Sequence, residues 1–241
     1  MPAARRSTGR RREPPPPADR SLSWAGVELI ERLLAIEVSA LCDADKGMPV
    51  LDPAIRAMVP DVRMAGPALT VLAEDDHLPV FSALAEAAPG DVLVIATCGG
   101  RLAVLGELFA TEARRRGVAG VVIDGFCRDV AGLRRVGLPV FARGTIPASG
   151  TTVSRAPLRS RVRCGGLDVA PGDIVFGDDD GVVIASAGRI EAALATGEAI
   201  GRAESAILGS GGSLHAQTNY AAHVAALDRG ESSALAFEPD A

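Results

Sequence analysis
The chain has 241 residues, 48% of them hydrophobic, and a formal net charge of −5. This is enough length and apolar content for one sizeable core. The acidic balance argues against a nucleic-acid partner, and the 3% aromatic content argues against a base-stacking surface. No apolar run approaches the roughly 20 residues of a membrane span.

Residues 1–20 carry Arg5, Arg6, Arg10, Arg11 and Arg12, then Pro14 to Pro17. Such a stretch cannot bury a core and is expected to be a disordered arm. A transit peptide or nucleic-acid arm is the alternative, and the prolines oppose the amphipathic helix it would need. The main domain is expected over residues 21–214 and a tail over 215–241. Trp24 to Leu34 has Val27, Ile30, Leu33 and Leu34 at helical spacing. Ile36 to Asp43 reads as a second short helix. Asp43 at its end is read as a cap, a solvated acid or part of a pocket mouth. Val62 to Ala73 reads as a strand with a bend or bulge at Gly66-Pro67. His77 to Ala87 reads as a helix closed by the turn Pro89-Gly90-Asp91, and Val92 to Ala96 as a fully buried strand.

Cys98-Gly99-Gly100-Arg101 follows that strand, but the glycine spacings of the dinucleotide and P-loop motifs are absent. The stretch from Gly106 to Asp129 then reads as a helix N-terminus, a buried strand over Val118 to Ile123, and a tight turn that sets Arg128 beside Asp129. A helix N-terminus offers unpaired N–H groups and partial positive charge, a seat for an anion. Arg128 can grip a carboxylate through two bonds, and Asp129 is a hard oxygen donor suited to Mg²⁺ or Mn²⁺. Plainer readings stand beside these. Arg128 can be an exposed ion pair, Asp129 can cap the helix Val130 to Val136, and Glu107 can serve only the helix dipole.

Pro139 to Ala142 is the next strand. Buried strands alternating with helices predict parallel βαβ units and an α/β fold. Arg159 to Ala185 changes character to short antiparallel strands, with Asp178-Asp179-Asp180-Gly181 read as a solvated hairpin turn. Ala187 to Leu208 reads as one long helix with Ile190, Leu194, Ile200 and Ile207 on its apolar side, followed by a tail containing His215, Tyr220 and His223, whose two histidines are read as surface residues. Cys42, Cys98, Cys127 and Cys164 form no C-x-x-C pair and no signal-peptide pattern precedes them, so they read as reduced thiols of a cytoplasmic protein. Lys46, in the polar Asp-Ala-Asp-Lys-Gly loop, is the only lysine. It is poorly placed for a Schiff base, so an aldolase built on this chain needs a metal.

Gly106-Glu107-Leu108, then Gly117-Val118-Ala119-Gly120-Val121-Val122-Ile123-Asp124-Gly125, then Arg128-Asp129, then Leu138-Pro139-Val140-Phe141-Ala142-Arg143-Gly144, resemble the RraA-like family over roughly Leu22 to Leu214. That family holds 4-hydroxy-4-methyl-2-oxoglutarate / 4-carboxy-4-hydroxy-2-oxoadipate aldolases that also decarboxylate oxaloacetate. It also holds the regulator of ribonuclease E activity, and members misnamed as demethylmenaquinone methyltransferases. The resemblance implies a three-layer, swivelling-type α/β domain with mixed sheets, assembled as a homotrimer or homohexamer. It implies that Gly106, Glu107, Leu108, Phe109 and Arg128 hold the carboxylate of a small 2-oxo acid. It implies that Asp129 leads divalent-metal binding, with Glu107 reaching the metal or its waters and Glu204 of the partner subunit completing the site (Glu198 is second choice). Aldolase relatives mostly carry Asp where this chain has Glu107. The implied activity is a metal-dependent carbon–carbon lyase; the alternatives are a ribonuclease E regulator without catalysis and a repurposed member of a specialised pathway.

Overall fold
The computed structural model describes residues 24–236; the arm expected over residues 1–20 lies outside the described residues. In chain order the elements are α1 (Trp24–Leu34), α2 (Val38–Ala44), β1 (Arg56–Ala57), β2 (Met64–Leu72), α3 (Leu78–Glu86), β3 (Val92–Ala96), β4 (Ala103–Leu105), α4 (Glu107–Arg115), β5 (Gly120–Cys127), α5 (Val130–Val136), β6 (Val140–Thr145), β7 (Val162–Cys164), β8 (Leu167–Val169), β9 (Ile174–Asp178), β10 (Gly181–Ala185), α6 (Ala187–Ser210) and α7 (Tyr220–Asp228), with a 3-10 turn at Leu214–Gln217.

One mixed sheet runs β1-β6-β5-β3-β2-β9-β10, and β4 pairs with β5 off this path. Strands β2, β3, β5 and β6 are parallel neighbours, while β9 and β10 extend the sheet antiparallel. Alternation along the parallel strands sends successive side chains to opposite faces. Leu69, Val71, Leu93, Ile95, Val121, Ile123, Val140 and Ala142 join one core with Val80, Leu84, Ala110, Ala113 and Leu133 of α3, α4 and α5. Ala68, Val92, Val94, Val122 and Phe141 point the other way, into a core closed by Leu51, Ile55 and the β7–β8 hairpin residues Val162, Cys164 and Val169. A third core packs α1, α2 and α6 against β9 and β10 through Leu33, Leu41, Phe176, Val183, Ile190 and Leu194. Strands buried on both faces need continuous apolar runs, and these strands supply them.

Several local expectations change. Gly66-Pro67 makes no bulge. It marks the point where β2 changes partner, since Met64 to Pro67 pair with β9 and Ala68 to Leu72 with β3. Gly66 is required there because a Cβ would fall 2.0 Å from the Gly90 carbonyl oxygen. In α1 the buried residues are Leu29 and Leu33, whereas Val27 and Leu34 face outward. Asp178 is not solvated: it is buried and accepts the Val38 N–H at 2.9 Å and the Asp180 N–H at 3.0 Å. It thereby satisfies a donor at the start of α2, and its burial pushes the carboxyl above the ordinary range. The tail is partly helical, with His215 edge-on to Tyr220 at 4.9 Å between ring centroids. Among the described residues no helix is long and apolar enough to cross a membrane.

Candidate active site
The cleft lies beyond the carboxyl ends of the parallel strands, where open α/β sheets place their ligands. It is lined by Ala103, Val104 and Leu105 of β4, by Gly106, Leu108 and Phe109 at the start of α4, by Arg128 and Asp129, and by His77 and Ser149. The strand β5 delivers the Arg–Asp pair. It runs past the turn expected at Asp124 and ends at Cys127. Its ladder with β6 slips between Ile123↔Ala142 and Phe126↔Gly144, so Asp124 and Gly125 oppose the single residue Arg143. This is a bulge. Gly125 allows it, because a Cβ there would meet Thr97 Oγ1 at 2.5 Å. Arg143 stitches the same place together, pairing with Asp124 and, at 2.8 Å, with Asp52.

Asp129 takes a left-handed backbone conformation, φ 58° and ψ 41°, which Asp adopts more readily than most residues. Its carboxylate does not cap its own helix α5. It turns to the neighbouring helix, where Oδ2 accepts the Glu107 N–H at 3.2 Å, and it lies 3.6 Å from Arg128 Nε. The expectation that Asp129 caps α5 is therefore not met; its carboxylate serves the first N–H of α4 instead. The Arg128 N–H donates to the Leu105 carbonyl at 2.9 Å, which fixes the pair against β4. Both side chains keep more than two-fifths of their surface exposed to the cleft and solvent. The first bond inside α4 is Ala110 N–H to the Gly106 carbonyl. The helix itself therefore leaves the Leu108 and Phe109 N–H groups without internal partners, next to Arg128.

Structure and expectation part at Glu107. Its backbone is at the cleft, but its carboxylate packs over Gly132 of α5 and pairs with Arg135 at 3.0 Å. Glu204 sits on α6, outside the cleft lining of its own chain, half-buried. Glu198, the second choice, is held by Arg32 through two bonds of 2.7 and 2.9 Å. Asp43 and the exposed Lys46 pair with each other on the surface and line no part of the cleft. Among the described residues no three His, Cys, Asp or Glu side chains gather as a ready metal cage.

Two polar lining residues escaped the sequence reading, His77 and Ser149, as did the apolar β4 residues Ala103, Val104 and Leu105. The signal was available for His77, since it follows β2 and precedes a helix with Pro79 in its first turn, so it had to lie at the carboxyl edge of the sheet. Asp76 holds this wall. Almost fully buried, it accepts hydrogen bonds from Thr151 Oγ1 at 2.6 Å and from the N–H groups of Leu78, Val153 and Ser154 at 2.9, 2.7 and 2.9 Å. Burial alone would raise its carboxyl, but these donors outweigh burial and hold it well below the usual carboxylate range. One carboxylate thus ties the start of α3 to the segment after Ser149.

The Arg–Asp pair thus stands at a helix N-terminus of an α/β domain, and the comparisons agree with that fold. The family model described as RraA-like, aldolase/RraA, matches residues 38–184. The chain belongs to that family. A protein of Halalkalibacterium halodurans, named provisionally as a 4-hydroxy-4-methyl-2-oxoglutarate aldolase, is 34% identical over 172 residues, 70% of this chain and 82% of that protein. Among solved structures, one from Geobacillus kaustophilus named as an S-adenosylmethionine: 2-dimethylmenaquinone methyltransferase is 33% identical with a TM-score of 0.59, covering 63% of this chain and 95% of its own. RraAS2 of Streptomyces coelicolor, described as an unusual member of the RNase ES inhibitor RraA family, is 27% identical with a TM-score of 0.63, covering 74% and 94%. The family thus includes both aldolases and ribonuclease inhibitors.

Proposed function
We propose that this protein is a divalent-metal-dependent aldolase that cleaves a 4-hydroxy-2-oxo acid to release pyruvate, and that it also decarboxylates oxaloacetate. The observation that carries this reading is the meeting of Arg128, Asp129 and the free N–H groups of Leu108 and Phe109 in one cleft. The donor set fits Mg²⁺ or Mn²⁺. These are hard ions that take one or two carboxylates and fill the rest of the shell with water. Asp129 would be the first ligand, Glu107 would join it on release from Arg135, and Glu204 of the partner subunit would supply the third acid in a homotrimer or homohexamer.

Arg128 and the Leu108 and Phe109 N–H groups bind and orient the substrate's C1 carboxylate. A divalent ion at Asp129 supplies Lewis-acid polarisation of the 2-oxo oxygen. The C4 hydroxyl gives its proton to water, the C3–C4 bond breaks, and its electrons pass to C3 as the pyruvate enolate. Arg128 keeps that enolate in place until C3 is protonated. Decarboxylation of oxaloacetate yields the same enolate with CO₂ leaving, so the same residues serve both reactions.

The test is pyruvate release from 4-hydroxy-2-oxo acids and oxaloacetate, with EDTA, with restored Mg²⁺ or Mn²⁺, and with borohydride. Loss under EDTA, recovery with metal and indifference to borohydride are expected, and Lys46→Ala remains active. Activity that survives EDTA and is trapped by borohydride overturns the reading. A second reading is a regulator that binds ribonuclease E without catalysis. It is favoured by the Glu107–Arg135 pair, which leaves Asp129 as the one acid lining the cleft among the described residues. No turnover on any oxo acid, with capture of ribonuclease E, supports it.

A further inference from the structure
The lining of the cleft carries two rings, His77 and Phe109. Phe109 meets the His77 ring edge-on at 5.6 Å between centroids and the Phe81 ring at 5.9 Å, tilted by 45°. These are preferred aromatic pair distances. The chain has only six Phe and three His, so the meeting of two of the former and one of the latter at one rim is a concentrated feature. Phe81 is 58% exposed and Leu108 is 81% exposed. Leu108 therefore stands open at the cleft and Phe81 stands open behind Phe109, beside a wall that Asp76 pins in place. The inner end is different. It holds the helix N-terminus and Arg128, the one Arg or Lys that lines the cleft among the described residues. Arg135, the next cation in this region, is engaged by Glu107.

Resting on the aldolase reading, we propose that the wall formed by His77 and Phe109, with Phe81 packed behind Phe109, selects 4-hydroxy-2-oxo acids whose C4 carries an apolar group, above all an aromatic ring, over those with a second carboxylate. With C1 held at Arg128, the substrate runs from the polar end toward the rings. A C4 carboxylate would be desolvated against His77 and Phe109, with no Arg or Lys of the cleft lining other than Arg128 to pair it. An aromatic C4 group buries its surface there and can take the edge-on geometry that the wall already shows. The reaction is unchanged in balance. The C4 hydroxyl loses its proton, C3–C4 breaks, C3 is protonated to give pyruvate, and C4 leaves as an aldehyde; nothing is oxidised or reduced.

The experiment compares kcat/KM for pyruvate release from 4-hydroxy-2-oxo-4-phenylbutanoate and from 4-hydroxy-4-methyl-2-oxoglutarate, using the full chain with Mg²⁺. The expected result is a preference for the phenyl substrate of about tenfold or more, the scale on which apolar pockets discriminate. Phe81→Ala, at an exposed position, and Phe109→Leu, which keeps apolar volume but removes the ring, should each raise KM for the phenyl substrate and narrow that ratio. A preference for the dicarboxylate overturns this inference and leaves the aldolase reading standing. Failure to turn over either compound or oxaloacetate overturns both. A change in assembly mass by light scattering for Phe81→Ala, with the ratio unaltered, assigns the rings to contact with a second copy and overturns the inference as well.

Discussion

A Cβ placed on Gly106 would lie 2.4 Å from Asp129 Oδ2 and 3.1 Å from Arg128 Cγ. Gly106 has φ −145°, an extended conformation open to any residue, so the glycine serves the approach of those two side chains and not the backbone. Gly106→Ala should therefore fold, with a melting temperature within a few degrees of the parent, yet push the Arg–Asp pair out of place. Displacements near 1 Å cost about 100-fold in rate, and steady-state pyruvate release together with a thermal melt checks both halves of the statement.

Arg128 and Asp129 should fail in different ways. On the proposed mechanism Asp129→Asn would remove the metal's first ligand, and it is expected to be nearly inactive at any Mg²⁺ concentration. Arg128→Lys keeps the charge but loses the two-pronged grip. Losing such a contact costs roughly 30- to 4,000-fold in kcat/KM. A titration of activity against Mg²⁺ for both variants separates the two roles.

Asp76 makes a prediction in acid. Its folded carboxyl is held below the ordinary value, so the unfolded chain takes up the proton first. Its stabilisation is complete above about pH 5. It shrinks as the pH falls below the unfolded value near 4 and is gone once the pH has passed the folded value. Asp76→Asn turns an amide toward donors that need an acceptor, at about 1–3 kcal/mol for each one left unpaired. The variant should melt several degrees lower at pH 7, and the gap from the parent should close in acid. A gap independent of pH between 7 and 3 would contradict this.

The four thiols should divide by burial. Cys127 and Cys164 are fully buried, which pushes their thiols up to about 11 and about 12, whereas Cys98 is exposed and Cys42 is partly so. The thiolate is the reactive form. Iodoacetamide at pH 8 on the folded protein should label Cys98 first, and Cys127 and Cys164 only after unfolding, as peptide mass spectrometry would report.

Most of the framework was legible because it rests on local patterns. Val92 to Ala96 and Val130 to Val136 were read with the bounds the structure gives, the first from an unbroken apolar run and the second from a start at Asp129 and a stop at Gly137. The short strands β1 and β4 were missed, since two or three residues carry no periodicity and acquire strand geometry only from β6 and β5. The Arg–Asp pair was visible in order and spacing. The Glu107–Arg135 contact was not, because it joins two helices 28 residues apart in the chain. Nor was the burial of Asp178, which is fixed by the distant N–H of Val38.

The slip between β5 and β6 at Asp124 and Gly125 has a bearing on how such a site tolerates change. Upstream of it, β5 keeps step with β6 through three consecutive pairs from Val121 to Ile123, and downstream through Phe126 and Cys127 in the shifted frame. The slip therefore works like a coupling between two shafts. The core half of the strand can exchange one apolar residue for another without rotating the half that aims Arg128 and Asp129. Deleting a single residue at Asp124 or Gly125 would remove that independence: Phe126 could stay opposite Gly144, but the two halves of the strand would be joined as one regular ladder, and a shift in the core half would pass on to Arg128 and Asp129.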